Sequence, residues 1–326
     1  MKKVISLILS VIMIAAMFAG CSASQPTETT TAEAGVGSYK VAIVQQLDHS
    51  SLDEIRVAIE TELGAAGVEY EVFNGQNDAS MLNQIGAQVV SDGYDAMIPI
   101  ATLAAQCMVT AADGTDTPII YAAISDPATA GLTDLPTVTG TSDALNTAFI
   151  LDMMFAANPD IQTVGLLYSN SEANSTTPIA EAKAYLDEKG IAYLEKTGNT
   201  TDEIVTAASS MVDRVDAVFT PTDNVVMAAE GAVAEILNAA GIPHYAGADS
   251  FVTAGAFATC GVNYTELGTY TAKMAVEILL GGEVPEYHVM DGGIITVNTD
   301  TAAALSLDYS VFKTMANTVV EVTTGE

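Results

Sequence analysis

Short apolar runs alternate along the chain with segments whose apolar residues recur at helical spacing, and each run ends in a polar turn. In the first half this pattern predicts strands at 41–45, 70–73, 95–101 and 118–124, and helices at 51–66, 79–91 and 103–112. Consecutive strand-helix units of this kind form parallel sheets that are covered by helices. The first half therefore predicts one α/β lobe.

The alternation restarts after the middle of the chain with a helix that ends at residue 156. Further strands are predicted at 163–168, 191–195, 217–220 and 243–247, and further helices at 177–189, 202–212 and 224–240. A chain of 326 residues has room for two domains of ordinary size. The predicted fold class is therefore α/β, with two doubly wound parallel-sheet lobes joined by a hinge.

The lobe boundaries are predicted from the places where the pattern breaks. Residues 138–143 look like a crossing between the lobes, and the segment 257–262 with the helix 264–280 is expected to rejoin the first lobe. The segment 294–297 and the tail would then return to the second lobe. These assignments predict lobe 1 at 39–141 plus about 253–285 and lobe 2 at 142–252 plus about 286–318, with hinge crossings near 138–142, 250–256 and 281–287.

The first 21 residues have two lysines, an apolar core and a small-residue end, which is typical of a secretory signal. The apolar run is too short for a membrane span. Its end, Ala19-Gly20-Cys21, resembles a bacterial lipobox, although Phe18 stands where Leu is more usual. We therefore expect a lipid on Cys21, a flexible tether at 22–38, and an extracytoplasmic protein that meets the membrane only through its lipid anchor.

The composition is 49% hydrophobic with a formal net charge of −31. That hydrophobic content excludes general disorder, and the negative charge should repel nucleic acid and anionic lipid head groups. Cys107 and Cys260, the cysteines outside the signal, fall in a helix pattern and a strand pattern, so we expect buried free thiols rather than a disulfide.

No motif for catalysis or metal binding stands out. The three histidines are far apart in sequence and have no metal-ligand spacing, and there is no Walker loop or dinucleotide fingerprint. The sequence at 140–144 approaches the GxSxG nucleophile elbow but has Ala at its last position. We therefore predict no enzyme activity, no catalytic residues, no metal and no cofactor.

Polar side chains follow the predicted strands at the edge where an α/β sheet binds ligands. Ser, Thr, Asn and Asp are common in such turns because they cap helices, so each one alone is explained by capping. Convergence of many on one edge favours a binding site instead. The predicted ligand-binding residues are His49, Thr102, Ser125, Asp126, Ser142, Asp143, Ser171, Glu172, Asn174, Ser175, Thr222, Asp223, Asn224 and Asp249.

The basic residues of the body lie on predicted helices or at strand ends away from these turns, so no arginine clamp is available for a polyanion. A zwitterion fits better. Its ammonium group would bind Asp223, Asp249 or Glu172, and its carboxylate would bind helix N-termini and Thr102. The chain has no Trp, which makes a stacked sugar less favoured.

Seven segments, in this order, resemble the tryptophan/tyrosine-type solute-binding proteins of ABC importers. They are QQLDHSSLD (45–53), NQIGAQ (83–88), IATLAAQ (100–106), SDP (125–127), VTGTSD (138–143), YSNSEANS (168–175) and PTDN (221–224). The similarity extends from about residue 40 to about residue 307. Ser50 and Leu103 replace prolines that are usual in the family, and the loop 131–138 is shorter than usual.

The resemblance implies a type I periplasmic-binding-protein fold with three crossings and a ligand between the lobes. It also implies a membrane permease and an ATPase as partners, and relatives that bind aromatic amino acids. We expect a monomer.

The leading hypothesis is a lipid-anchored receptor that captures a small zwitterion, an aromatic or other apolar amino acid, for an ABC importer. A second hypothesis is a nucleoside, sugar or signalling ligand on the same fold. A third, from another class, is a secreted hydrolase that uses Ser142 with a distant His and Asp.

Overall fold

A computed structural model describes residues 39–325. The predicted signal, the lipidation site Cys21 and the tether at 22–38 lie outside the described residues. No helix in 39–325 is both long enough and apolar enough to cross a membrane.

The first lobe begins with alternating strands and helices close to the predicted positions. These are β1 (Lys40–Gln45), α1 (Ser50–Ala66), β2 (Glu69–Asn74), α2 (Ala79–Ser91), β3 (Ala96–Ile100), α3 (Thr102–Ala111), β4 (Ile119–Tyr121) and β5 (Val138–Ser142). Strand β3 is buried at every residue, as expected for a parallel strand covered on both faces. Helix α1 buries Leu52, Ile55 and Ile59 and ends at Gly67, whose left-handed φ of 76° favours glycine.

The second lobe continues the same architecture. It contains α4 (Thr147–Ala157), β6 (Thr163–Tyr168), α5 (Thr176–Lys189), β7 (Ala192–Thr197), α6 (Thr201–Ser209), β8 (Ala217–Thr220), α7 (Asn224–Ala239), β9 (His244–Ala246), α8 (Asp249–Thr253) and β10 (Ala258–Gly261). The remaining elements are α9 (Tyr264–Leu279), β11 (His288–Val289), β12 (Ile294–Asn298), α10 (Thr299–Leu305) and β13 (Thr318–Val322).

The strands form two sheets, in the orders β11-β5-β4-β3-β1-β2 and β13-β12-β10-β9-β8-β6-β7. All strand pairs are parallel except β10 with β12. The predicted class, two parallel-sheet α/β lobes, is confirmed. Cys107 and Cys260 are buried and free, which confirms the prediction for the thiols.

The predicted course of the chain near residue 257 is wrong in one part. Strand β10 pairs with β9 and β12 of the second sheet, so this strand stays in the second lobe. Helix α9 does return to the first lobe, where it packs against α1 so closely that a Cβ on Gly268 would lie 2.5 Å from the carbonyl oxygen of Ile55. The apolar run at 257–262 marks a buried strand but carries no signal for which sheet it joins.

The other crossings also differ from their predicted positions. Residues 138–142 are strand β5, paired with β4 and β11 in the first sheet, so the first crossing follows at 143–146. The short strand β11 still belongs to the first sheet, which places the third crossing at 290–293 rather than before residue 286. Segment 250–256, expected to be a hinge, forms most of α8 and the turn after it.

Candidate ligand-binding site

A small cavity, whose surrounding empty space of about 380 Å³ includes open solvent, lies between the two lobes, beyond the carboxyl ends of their parallel strands. Its walls combine polar turn residues with an apolar side. The first lobe and α9 contribute His49, Ser51, Leu52, Ala101, Thr102, Ala123, Ser125, Asp143 and Tyr264, and the second lobe contributes Asn174, Thr222, Asp223, Asn224, Met227, Ala248 and Phe251.

Eight of the predicted residues line this cavity. They are His49, Thr102, Ser125, Asp143, Asn174, Thr222, Asp223 and Asn224. They follow the carboxyl ends of β1, β3, β4, β5, β6 and β8, the edge at which α/β sheets bind ligands.

The other six predicted residues do not line the cavity and have other partners. Ser142 is buried and its hydroxyl faces the backbone of Ser125 and Ala144. Ser171 is exposed and bonds Ser169. Asp249 begins the short helix α8, where burial raises the pKa of its carboxyl to about 6.

Asp126, Glu172 and Ser175 join parts of the protein to each other. Asp126 accepts a hydrogen bond from Thr177 of the other lobe at 2.7 Å. Ser175 donates to Asp223. Glu172 is buried between Gln46 of the first lobe and Asn224 of the second. Polar turn residues of this kind can contact a ligand, but the hydrogen-bond partners of these three residues belong to the protein itself.

Asp223 caps α7 and also accepts hydrogen bonds from the segment that follows β6. Its Oδ1 accepts from the backbone N–H groups of Val225 and Val226, and its Oδ2 accepts from the N–H of Ser169 and the hydroxyl of Ser175. An ionised carboxylate has about four lone-pair sites, so these four donors use its capacity. The geometry therefore matches the capping alternative and not the predicted salt link to a ligand ammonium.

Two buried polar atoms, from residues that line the cavity, lack a partner within the protein. The amide Nδ2 of Asn174 donates to the carbonyl oxygen of Thr222 at 2.6 Å, which leaves Asn174 Oδ1 unpaired. His49 Nε2 lies 3.0 Å from Asn224 Oδ1, and His49 Nδ1 is unpaired. Because unpaired buried polar atoms are costly, both atoms indicate a missing hydrogen-bond partner.

One further carboxyl group on the cavity wall has two hydrogen-bond donors from the protein. Asp143 accepts hydrogen bonds from Ser125 Oγ at 3.0 Å and from the Tyr264 hydroxyl at 3.2 Å. Burial raises the pKa of its carboxyl. None of the described residues that line the cavity is Lys or Arg, so no side-chain ammonium or guanidinium of the cavity wall pairs with Asp143.

Two strained backbone positions lie on the cavity wall. Ala101 and Ala123, which follow β3 and β4, have left-handed φ values of 75° and 57° although neither is glycine. Both residues line the cavity. Strained non-glycine residues cluster at binding sites, where the surrounding structure holds them. Here the strain at Ala101 leads directly into the N-terminus of α3 at Thr102.

Direct hydrogen bonds join the lobes around the cavity. Ser125 Oγ lies 3.0 Å from Thr222 Oγ1, and Gln46 Nε2 lies 3.0 Å from Glu172 Oε1. The bonds between His49 and Asn224 and between Thr177 and Asp126 add two more links. The two lobes are therefore in contact across the cleft.

The chain belongs to the ABC transporter substrate-binding family. The sequence model of that family, described as ABC transporter substrate binding protein, matches residues 40–316. Family membership confirms that the protein is a binding protein and not an enzyme, which removes the hydrolase hypothesis. Substrate-binding proteins of ABC transporters are extracytoplasmic and bind small molecules.

Similar proteins support this assignment. The chain is 31% identical over 322 residues to the tyrosine-binding protein of Clostridioides difficile (strain R20291), covering 94% of this chain and 93% of the relative. A solved ABC domain in complex with L-Trp from Streptococcus pneumonia is 30% identical, with a TM-score of 0.81 over 86% of this chain and 99% of the other.

The arrangement of the lobes resembles the ligand-bound relative more than an open one. A substrate-binding protein with adhesive properties from Clostridium difficile, solved in its ligand-free, open form, is 31% identical and covers 88% of this chain and 99% of the other. Its TM-score is only 0.66, compared with 0.81 for the L-Trp complex at nearly the same identity. Together with the bonds between the lobes, this difference indicates a closed arrangement here.

The sequence analysis did not predict the apolar residues of the cavity wall. Leu52, Met227, Phe251 and Tyr264 line the cavity from helices α1, α7, α8 and α9. Their positions follow the helical apolar pattern, which is also the pattern of core residues. The one available signal was spacing, since Met227 lies three residues after Asn224 and therefore on the same face of α7.

Proposed function

We propose that the protein captures an aromatic amino acid, tyrosine or tryptophan, between its lobes and delivers it to an ABC importer. The observation that carries this proposal is the pair of unpaired acceptors, His49 Nδ1 and Asn174 Oδ1, in a cavity that also holds the carboxylate of Asp143. Three acceptors and no cation suit an ammonium group, which has only donors to offer.

The rest of such a ligand also has a counterpart on the cavity wall. The N-terminus of α3 at Thr102 has no side-chain cap from Ala101, and a helix N-terminus favours a carboxylate. Leu52, Met227 and Phe251 offer apolar surface for a ring. The names of the relatives, a tyrosine-binding protein and a domain solved with L-Trp, agree with this chemistry.

Delivery requires that the lobes separate, since hydrogen bonds join them across the cleft. We propose that the ligand enters an open form and that its binding favours closure about the crossings at 143–146, 262–263 and 290–293. The closed form would then be recognised by a permease that works with an ATPase. The receptor would act as a monomer.

A thermal-shift panel of L-amino acids, nucleosides and sugars tests the ligand class. A ligand at 100 times its Kd adds roughly 2.7 kcal/mol to the free energy of unfolding, which raises the melting temperature clearly. We expect L-tyrosine or L-tryptophan to give the largest shift. A larger shift with a nucleoside or a sugar, and none with any amino acid, would contradict the proposal.

We propose that Cys21 carries a diacylglycerol thioether that anchors the receptor to the outer face of the cell membrane. The support is the sequence Ala19-Gly20-Cys21 after an apolar signal. The Cys21→Ser variant should move from the membrane fraction to the soluble fraction while its thermal shift with ligand stays unchanged. An unmodified residue 21 in the intact mass of the native protein would disprove the anchor.

A further inference from the structure

A chain of side-chain hydrogen bonds runs from the first lobe through the second and back to the first. Hydrogen bonds join Gln46 Nε2 to Glu172 Oε1 at 3.0 Å, Asn224 Nδ2 to Glu172 Oε2 at 2.6 Å, and His49 Nε2 to Asn224 Oδ1 at 3.0 Å. Gln46 and His49 belong to the first lobe, whereas Glu172 and Asn224 belong to the second. The last residue of this chain lines the ligand cavity.

The donor and acceptor at each step follow from a backbone group. The N–H of Leu103, which can only donate, bonds Gln46 Oε1 at 3.0 Å. This bond fixes the orientation of the Gln46 amide, so its Nε2 is the group that donates to Glu172 Oε1. Nε2 also donates to Asn77 Oδ1 at 2.8 Å, which supports the same orientation.

Glu172 then orients Asn224. Its second oxygen, Oε2, accepts from Asn224 Nδ2. The carbonyl oxygen of Asn224 therefore faces His49, and it accepts a hydrogen bond only if His49 Nε2 carries the proton. Burial lowers the pKa of His49, which keeps the ring neutral. A neutral ring with its proton on Nε2 has a lone pair on Nδ1, the unpaired atom at the cavity.

We propose that Glu172 is a positioning residue that holds His49 in the Nε2–H tautomer through Asn224, so that His49 Nδ1 accepts a hydrogen bond from the ligand's ammonium group. The inference rests on the proposed function for the identity of the ligand. The tautomer itself is a property of the free protein. Asn174 Oδ1, the other unpaired acceptor at the cavity, favours an ammonium group over a donor on the ligand's ring, because an ammonium group has three donors to share.

The Glu172→Gln variant should reverse donor and acceptor between Asn224 and His49 while keeping the size of the side chain at position 172. The amide introduced at position 172 has one acceptor and one donor group, but it meets two amide donors, from Gln46 and Asn224. The Gln46 amide is held by the N–H of Leu103, so Asn224 is the group that turns. Its Nδ2 then faces His49 Nε2, which must become the acceptor, and the proton moves to Nδ1. His49 then presents a donor to the ammonium group.

Nitrogen-15 NMR of histidine-labelled, ligand-free protein at pH 8 reads the tautomer directly. We expect an unprotonated Nδ1 and a protonated Nε2 for His49 in the wild type, and the reverse in Glu172→Gln. The signal of His49 is identified by its loss in His49→Gln. The control Glu181→Gln, an exposed position on α5 of the same lobe, should leave the wild-type pattern intact. Nδ1–H in the wild type, or no change in Glu172→Gln, would overturn the proposal.

A second variant covers the case in which Glu172→Gln does not fold. Asn224→Ala removes the link between Glu172 and His49, so the preference for the Nε2–H tautomer should be lost. A retained preference in Asn224→Ala would show that something other than the relay sets the tautomer, which would overturn the proposal.

Calorimetry with two probes identifies the donor on the ligand. L-tryptophan should bind Glu172→Gln about tenfold to hundredfold more weakly than it binds wild type, the usual loss for a hydrogen bond to a charged group. Indole-3-propionate, which lacks the amine, should bind both proteins equally. An equal loss for both probes would place the indole N–H at His49 and refute the ammonium assignment. If wild type binds neither L-tryptophan nor L-tyrosine, the proposed function fails, and NMR still decides whether the relay exists.

Discussion

Replacing Gly247 with alanine should lower the free energy of unfolding by about 1–3 kcal/mol and weaken binding of the amino acid by about tenfold or more. An added Cβ would lie 2.5 Å from the backbone nitrogen of Thr222 and 2.7 Å from the carbonyl carbon of Pro221. Backbone atoms at such distances have to move. Thr222 carries the carbonyl oxygen that orients Asn174 and the hydroxyl that meets Ser125, so its displacement disturbs the cavity as well as the fold.

The matched control for this change is Gly231→Ala on α7 of the same lobe. An added Cβ there meets no atom within 4 Å, and the residue is exposed inside a helix. Alanine should therefore raise the free energy of unfolding by about 0.5–1 kcal/mol, because glycine is unfavourable within helices. Urea unfolding and calorimetry measure both quantities. Wild-type affinity and stability in Gly247→Ala would show that the turn at Thr222 is not held as described.

Asp223→Ala should lower the free energy of unfolding by about 3 kcal/mol or more. The change removes the cap of α7 and leaves buried donors of Ser169 and Ser175 without an acceptor. The control is Asp78→Ala, which removes a cap of α2 that accepts a single hydrogen bond, from the N–H of Met81, at an exposed position. We expect a loss of about 1 kcal/mol there.

A second variant, Asp223→Asn, distinguishes a capping role of Asp223 from a ligand-binding role. Asp223→Asn keeps an acceptor for the first N–H groups of α7 but places an amide donor against the donors of Ser169 and Ser175. Stability should therefore fall, whereas affinity measured on the folded variant should stay within about threefold of wild type. Equal losses in the two aspartate-to-alanine variants, or a loss of affinity in Asp223→Asn near the hundredfold expected for a lost charge-assisted bond, would restore Asp223 as the ammonium partner.

The fold was predictable because βα units impose two clear periods on the sequence. Residues 41–44 and 217–219, for example, are apolar because their strands are buried on both faces, and the turns that follow these strands lie on the ligand side by the geometry of parallel sheets. For this reason the segment Thr222-Asp223-Asn224, predicted from its turn position, lies on the cavity wall.

The roles of the site residues were harder to predict, because capping and ligand binding use the same side chains. Nothing in the sequence distinguishes Asp223, whose four donors all come from the protein, from Asp143, whose carboxylate lines the cavity between Ser125 and Tyr264. The difference depends on which N–H groups converge on each carboxylate in three dimensions. The same limit applies to Glu172, whose partner Gln46 is 126 residues away in sequence.

The crossings between lobes were mispredicted for a related reason. Strand β10 and helix α9 are separated by only two residues, yet they belong to different lobes. Hydrophobic periodicity reports burial and not the identity of the partner element. The antiparallel pairing of β10 with β12 and the close approach of α9 to α1 at Gly268 both depend on contacts between segments that are distant in the sequence.

A crystal structure of the protein grown with L-tryptophan or L-tyrosine is the most direct test of a ligand site between the lobes. We expect the amino acid in the cavity, its ammonium group within hydrogen-bond distance of His49 Nδ1 and Asn174 Oδ1, and its carboxylate at the N-terminus of α3 beside Thr102. The bonds that join Gln46 to Glu172 and Ser125 to Thr222 should be retained. An amino acid bound outside the cleft, or an ammonium group paired with Asp223 while His49 Nδ1 stays unpaired, would contradict the account.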